Sequence, residues 1–278
     1  MVRDHIRSEI ERLVALPAAE AREQGLETVR RFREGLNRGD FRAAEKVDGV
    51  WRANAWVKEG ILLSFRIGRI LEQDLSDGFR FRDKDTLPLR IGANDLFRVV
   101  PGGSSIRDGA YIGKNVVCMP PMFINIGAWV DDDSMVDSHA LVGSCAQVGK
   151  RVHLSAAAQI GGVLEPPGAV PVVIEDGVFV GGNCGVYEGV IVGERAVLAP
   201  GVLLTGGVTA YDIAREQVYR RSGDSPLMIP PGAVVVPGSR AVRGEFAGRH
   251  GLSLYAPVVV KYRDEKTDAA TSLEEALR

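Results

Sequence analysis

Aliphatic residues recur every six positions through the middle of the chain. Ile106, Ile112, Cys118, Ile124, Val130, Val136, Val142, Val148, Leu154 and Ile160 form an unbroken series, with Cys118 as a small apolar stand-in. The series resumes at Ile174, Val180, Val186, Val192, Leu198 and Leu204. Four places after most of them sits a small or β-branched residue, as at Ala110, Val116, Ala128 and Ala140. Gly, Asn or Asp often follows the aliphatic directly, as at Gly113, Asn125, Asp137 and Gly143. This period fits neither a helix nor a free strand. It is the signature of a hexapeptide parallel β-helix, in which three hexads make one coil of a triangular prism. The aliphatic residue points inward and the small residue fills the corner behind it. The residue after the aliphatic is expected near the turn, where Gly, Asn and Asp tolerate positive φ. Stacked at ~4.8 Å, each coil pairs its backbone with the coils above and below. The two runs give roughly five coils.

The flanks read differently. Residues 5–16 carry Ile6, Ile10, Leu13 and Val14 on one face of an amphipathic helix. A second helix, with Leu26, Val29 and Phe32, is expected to end near Gly35 or Gly39. Asp48-Gly49 between Ala43–Val47 and Val50–Ala53 predicts a tight hairpin. Trp56 to Phe65 reads as a helix entering a strand, and Asp83 to Arg90, with Pro88, as loop. Two excursions interrupt the hexads: Leu164 to Pro171, rich in proline, and Gly206 to Met228. Such loops tend to leave a β-helix on one face and to carry function. Residues 229–238 restore the repeat for a final turn, 252–262 read as a strand, and Thr271 to Leu277 as a short capped helix. The expectation is a mainly β chain in three parts. An N-terminal α/β domain covers 1–100, the β-helix 101–240, and a strand and helix cap 241–278.

Composition narrows the chemistry. Gly is 33 of 278 residues, and the excess falls in the repeat. A net charge of −2 makes a nucleic-acid footprint unexpected. No apolar run approaches ~18 residues and no leader pattern opens the chain, so the cytoplasm is the expected location. The three cysteines, Cys118, Cys145 and Cys184, all lie in the repeat without paired spacing and read as buried structural residues. The four histidines are scattered, and no metal site is expected.

Several runs resemble the tetrahydrodipicolinate N-succinyltransferase family of hexapeptide acyltransferases. These are Phe97-Arg98-Val99-Val100-Pro101, Asn125-Ile126-Gly127-Ala128, Met135-Val136-Asp137, Val142-Gly143-Ser144-Cys145-Ala146-Gln147 and Ile160-Gly161-Gly162-Val163-Leu164-Glu165-Pro166. In the first domain, Ala44-Glu45-Lys46-Val47-Asp48-Gly49 and Trp56-Val57-Lys58 add to them. The resemblance implies a left-handed parallel β-helix, an exception to the right-handed crossover rule. It implies succinyl transfer from succinyl-CoA to the amino group of open-chain tetrahydrodipicolinate in lysine biosynthesis. It also implies homotrimers with active sites between adjacent prisms. Arg98 matches the family's substrate-binding arginine, suited to a bidentate clamp on a dicarboxylate. Asp137 matches the active-site aspartate, which would hold the substrate ammonium and help remove its proton.

Two positions depart from the family. Gly185 stands where many members have a candidate catalytic glutamate, which leaves Glu188, a second family glutamate, or Asp137 alone as base. His139 replaces a tryptophan and is itself a candidate base, or a residue that reshapes the acceptor pocket. His153 is in the family pattern and is expected at a corner in a structural role. Gly182, Gly206 and Gly207 would allow close approach of the CoA arm, and Lys261, or Arg240, would meet its phosphates. These departures keep open a relative that acylates another amino acid, with acetyl-CoA as donor in place of succinyl-CoA. A β-helix that serves only as a scaffold also remains.

Overall fold

The computed structural model describes residues 2–76, 79–88, 90, 96–223 and 225–267. The helix expected at 271–277 lies outside them. Two-residue strands, one per hexad, stack in parallel into three sheets that form the faces of a prism. The first face runs from Arg98–Val99 through Val117–Cys118, Met135–Val136, His153–Leu154 and Phe179–Val180 to Val197–Leu198. The second begins at Ser105–Ile106 and includes Leu141–Val142, Gln159–Ile160, Gly185–Val186 and Leu203–Leu204. The third runs from Tyr111–Ile112 to Met228–Ile229. The second and third faces are six-stranded, so the prism has one coil more than the hexad runs suggested. Arg98–Val99 leads in below the first hexad, and Met228–Ile229 closes a coil after the long excursion.

Every strand keeps the register of its neighbour, so inward residues stack on inward residues: Val130 pairs with Ile112 below it and Val148 above it. That column is sealed, with Ile124, Val130, Val136, Val142, Leu154 and Ile174 fully buried. Each such side chain contributes about 1.5–3 kcal/mol of burial. The corner residues Ala110, Val116, Ala146 and Ala158 are equally buried, as the spacing predicted.

The turn geometry differs from the expectation. Positive φ falls three residues after the aliphatic, at Asn115, Asp133, His139, Arg151, Ala157, Asn183 and Arg195. Where the residue directly after the aliphatic is glycine, the reason is space. A Cβ on Gly143 would lie 2.2 Å from the backbone nitrogen of Gly162 in the next coil, and one on Gly181 2.6 Å from that of Pro200. Where Asp or Asn takes this place its carboxyl or amide oxygen caps the turn. Asn125 Oδ1 accepts from the Ile126 N–H at 2.8 Å, and Asp131 Oδ1 from the Asp132 N–H at 2.9 Å.

The N-terminal region packs three helices, α1 (Val2–Val14), α2 (Ala18–Arg38) and α3 (Ala55–Ile67), around Ile10, Leu13, Phe32, Trp56 and Ile61. Ile126 and Cys145 of the prism complete that core. α2 ends where Gly39 enters the left-handed region at φ 77, one of the two expected stops. The hairpin at Ala44–Val47 and Val50–Ala53 turns on Asp48 and Gly49, both at positive φ, as a two-residue loop requires. The sequence reading passed over a second hairpin, Ile70–Ser76 with Phe79–Lys84, so the stretch from Asp83 begins in strand rather than loop.

The region is tied to the third face. Arg42 lies 4.2 Å from the Trp129 ring centre and 5.4 Å from that of Trp51. Buried Glu175 accepts from Lys46 Nζ and Trp51 Nε1, each at 2.7 Å. At the other end Ala233–Ala241 starts a seventh turn but then pairs antiparallel with Ser253–Tyr262. The expected C-terminal strand therefore has a partner, and the two cover the open end of the prism.

Candidate functional site

The corner between the first and second faces carries Asp137 and His139. Asp137 follows Val136 and is half-buried. Its Oδ1 accepts from the Ser138 N–H at 2.7 Å, which fixes the carboxylate across the turn. His139 stands at the left-handed position with φ 61, its ring exposed. Its N–H donates to Pro121 O at 2.5 Å, and its carbonyl accepts from Gln159 Nε2 at 3.2 Å. Arg98 is exposed on the first face, in register with Val117, which in turn pairs with Met135. Arg98 thus lies two coils, ~10 Å, along the axis from Asp137. An arginine side chain and a dicarboxylate together span such a gap.

Glu188 is on a different corner, between the second and third faces and two coils from Asp137. It too has positive φ, and its Oε2 accepts from the Gly206 N–H at 3.0 Å. Both excursions leave the prism at this corner, from Ile160 and from Leu204. Together they form a cavity of about 880 Å³ lined by Glu165, Ala169, Tyr187, Glu188, Thr205 and Arg221. The first excursion is held from behind by Lys58 of α3. Its side chain is fully buried, and Nζ donates to Ala169 O at 2.5 Å. Burial pushes the Lys58 pKa below its ordinary 10.5. The sequence reading passed over Lys58, Tyr187 and Arg221 as site residues. A tyrosine at a hexad position most often filled by Gly, Asn or Asp was the available signal for Tyr187.

The proposed cofactor contacts do not converge within one chain. Gly182 is on the Asp137 corner, two coils farther up, whereas Gly206 sits against Glu188. Lys261 Nζ pairs with the Asp264 carboxylate at 3.1 Å, and Arg240 is exposed on the closing strand. His153 projects from the first face beside Phe179, ring centres 5.0 Å apart, rather than from a corner. The three cysteines are buried. Burial raises all three thiol pKa values, those of Cys118 and Cys145 to about 12, which suits packing and not nucleophilic attack. Among the described residues no cluster of three or more His, Cys, Asp or Glu could hold a metal.

Comparison with known proteins adds to this geometry. Residues 3–67 match the model of the tetrahydrodipicolinate N-succinyltransferase N-terminal region, and residues 171–206 that of the bacterial transferase hexapeptide. A 2,3,4,5-tetrahydropyridine-2,6-dicarboxylate N-succinyltransferase of Idiomarina loihiensis is 43% identical over 91% of this chain and 89% of its own. The chain belongs to the tetrahydrodipicolinate N-succinyltransferase family. The enzyme of that name from Sodalis glossinidius is 39% identical over 100% of this chain and 98% of its own. A solved structure from Campylobacter jejuni, described as a putative 2,3,4,5-tetrahydropyridine-2-carboxylate N-succinyltransferase, has a TM-score of 0.47 and 16% identity. It covers 88% of this chain and 64% of that one. With the family assigned, the prism is the left-handed hexapeptide helix. The match to the Sodalis glossinidius enzyme spans the whole of this chain, both excursions and the N-terminal helices included.

Proposed function

We propose that this protein transfers the succinyl group of succinyl-CoA to the amino group of open-chain tetrahydrodipicolinate, in the cytoplasm, as a step of lysine biosynthesis. Identity of 43% and 39% over 91% and 100% of the chain to two enzymes of that name carries the reading. Arg98 clamps a carboxylate of the acceptor in bidentate fashion. Asp137, fixed by the Ser138 N–H, receives the acceptor ammonium and takes its proton. The free amine then attacks the thioester carbonyl, and backbone N–H groups along the prism edge stabilise the oxyanion. Glu188 is the second carboxylate of the site, with its other partner the Gly206 N–H. The donor's pantetheine arm runs along the corner at Gly182 and Gly206, and Lys261 or Arg240 lies on the strand pair that would meet its phosphates.

Asp137 and Glu188 project from different corners of one prism. A site that uses both is built from two copies, and the homotrimer is the assembly that closes this arrangement. Leu141 and Leu203, outward on the second face, offer apolar surface to a neighbour.

Steady-state kinetics test the assignment. The expected results are a higher kcat/KM with succinyl-CoA than with acetyl-CoA, about 100-fold or greater loss of kcat in Asp137→Asn, and a raised acceptor KM in Arg98→Ala. A clear preference for acetyl-CoA would sink the succinyl assignment, and unaffected variants would sink the site.

A further inference from the structure

Tyr187 occupies a seat that the backbone makes for it. It follows Val186 at the corner, directly above Gly161 and Gly162 of the coil below. A Cβ on Gly161 would meet Tyr187 Cδ1 at 2.7 Å. A Cβ on Gly185, the outward residue of the same strand, would meet Tyr187 Cε2 at 2.4 Å and its hydroxyl at 2.8 Å. Two glycines from adjacent coils therefore form a flat shelf, and the ring lies across it. The hydroxyl ends where a side chain at position 185 would begin. It has no hydrogen-bond partner among the described residues, and the ring lines the large cavity beside Glu188 and Arg221.

The other side chains that bring polar groups to it are Glu165, Glu188, Arg221 and Thr205, whose short hydroxyl turns on its own bond. Glu165 and Glu188 only accept when ionised, and one Glu188 oxygen is engaged by Gly206. Tyr187 supplies a neutral donor on a ring whose position is fixed before substrate arrives. Such preorganisation favours stabilising charge that develops during reaction, since little reorganisation remains to be made.

We infer that the Tyr187 hydroxyl donates to the thioester carbonyl oxygen in acyl transfer. This rests on the acyltransferase reading above. The amine lone pair forms the C–N bond, and the carbonyl π pair moves to oxygen, where the phenol O–H holds it. Collapse re-forms C=O and breaks C–S, with that pair leaving on sulfur. The amine proton passes to a carboxylate and from there to the thiolate. Tyr187 keeps its own proton.

The test is a cycle of Tyr187→Phe, Gly185→Ala and the double variant, with kcat and KM for both substrates and a thermal melt for each. Tyr187→Phe keeps the ring and removes the donor. Its kcat should fall about 100-fold, with both KM values and the melting midpoint unchanged. Gly185→Ala should displace the ring and lower kcat, and the double variant should be no worse than Tyr187→Phe alone. A Tyr187→Phe kcat within about twofold of wild type, or a loss confined to KM, would overturn the inference. Wild type that transfers an acyl group from neither succinyl-CoA nor acetyl-CoA would overturn the reading and the inference together. An active wild type with an unaffected Tyr187→Phe removes only the inference.

Discussion

Asp212 illustrates how much one buried carboxylate organises in this fold. It sits at the base of the second excursion and accepts from Tyr262 Oη at 2.6 Å, Tyr219 Oη at 3.2 Å and the N–H groups of Ala214 and Arg215. Burial alone would raise its pKa, but these hydrogen bonds outweigh burial and hold it below its ordinary 3.8. The folded protein thus binds fewer protons here than the unfolded chain. The stabilisation is complete above 3.8 and is lost as pH falls through the folded value. Urea denaturation of wild type and Asp212→Asn should show the variant weaker by about 1–3 kcal/mol at neutral pH. The gap should narrow below pH 3.8, and a constant gap would show that the charge is not what matters. Arg98 and Asp137 could be proposed from the sequence because their flanking residues carry the family pattern. Tyr187 was not, because its seat is made by Gly161, twenty-six positions away in sequence and one coil below in space.

At the scale of the element, the hexad is the unit, and its corner has two separate requirements. In some coils the position after the aliphatic has no room for a side chain because the next coil passes close, as at Gly143 and Gly181, and the position two further on takes a left-handed backbone. The sequence pattern merged them, since glycine satisfies both. Separating them yields opposite expectations for two small substitutions. Gly143→Ala drives a Cβ against the Gly162 nitrogen and should destabilise by about 2 kcal/mol or more. Ala157→Gly relieves a non-glycine residue at φ 59 and should stabilise by up to about 1 kcal/mol. Thermal and urea denaturation of the pair decide this, and a reversed order would contradict the assignment of roles. The inward column was legible in full because burial admits few residue types. The hairpin at 70–84 was not. Phe79-Arg80-Phe81-Arg82 alternates, but Ile70-Leu71-Glu72-Gln73-Asp74 does not, and among the described residues the two strands pair with each other and not with the prism.

For the whole molecule, the distribution of covered and open surface follows from where the N-terminal region docks. It closes the third face through Arg42, Trp129 and Glu175, and it supports the first excursion through Lys58. The Asp137 corner stays open, a full face away from Glu188 and the cavity. Neither corner holds Arg98, Asp137 and Glu188 together, so the site proposed above is one built from two copies. Mixing two inactive variants tests that requirement most directly. Asp137→Asn and Glu188→Gln subunits are each purified, shown to be nearly inactive with succinyl-CoA, then unfolded, mixed in equal amounts and refolded. Random reassembly into trimers would restore intact sites made from one unaltered Asp137 corner and one unaltered Glu188 corner, about a quarter of the total. Recovery of activity near that level is the predicted result. A mixture no more active than either parent, with the trimer present, would contradict a site shared between copies.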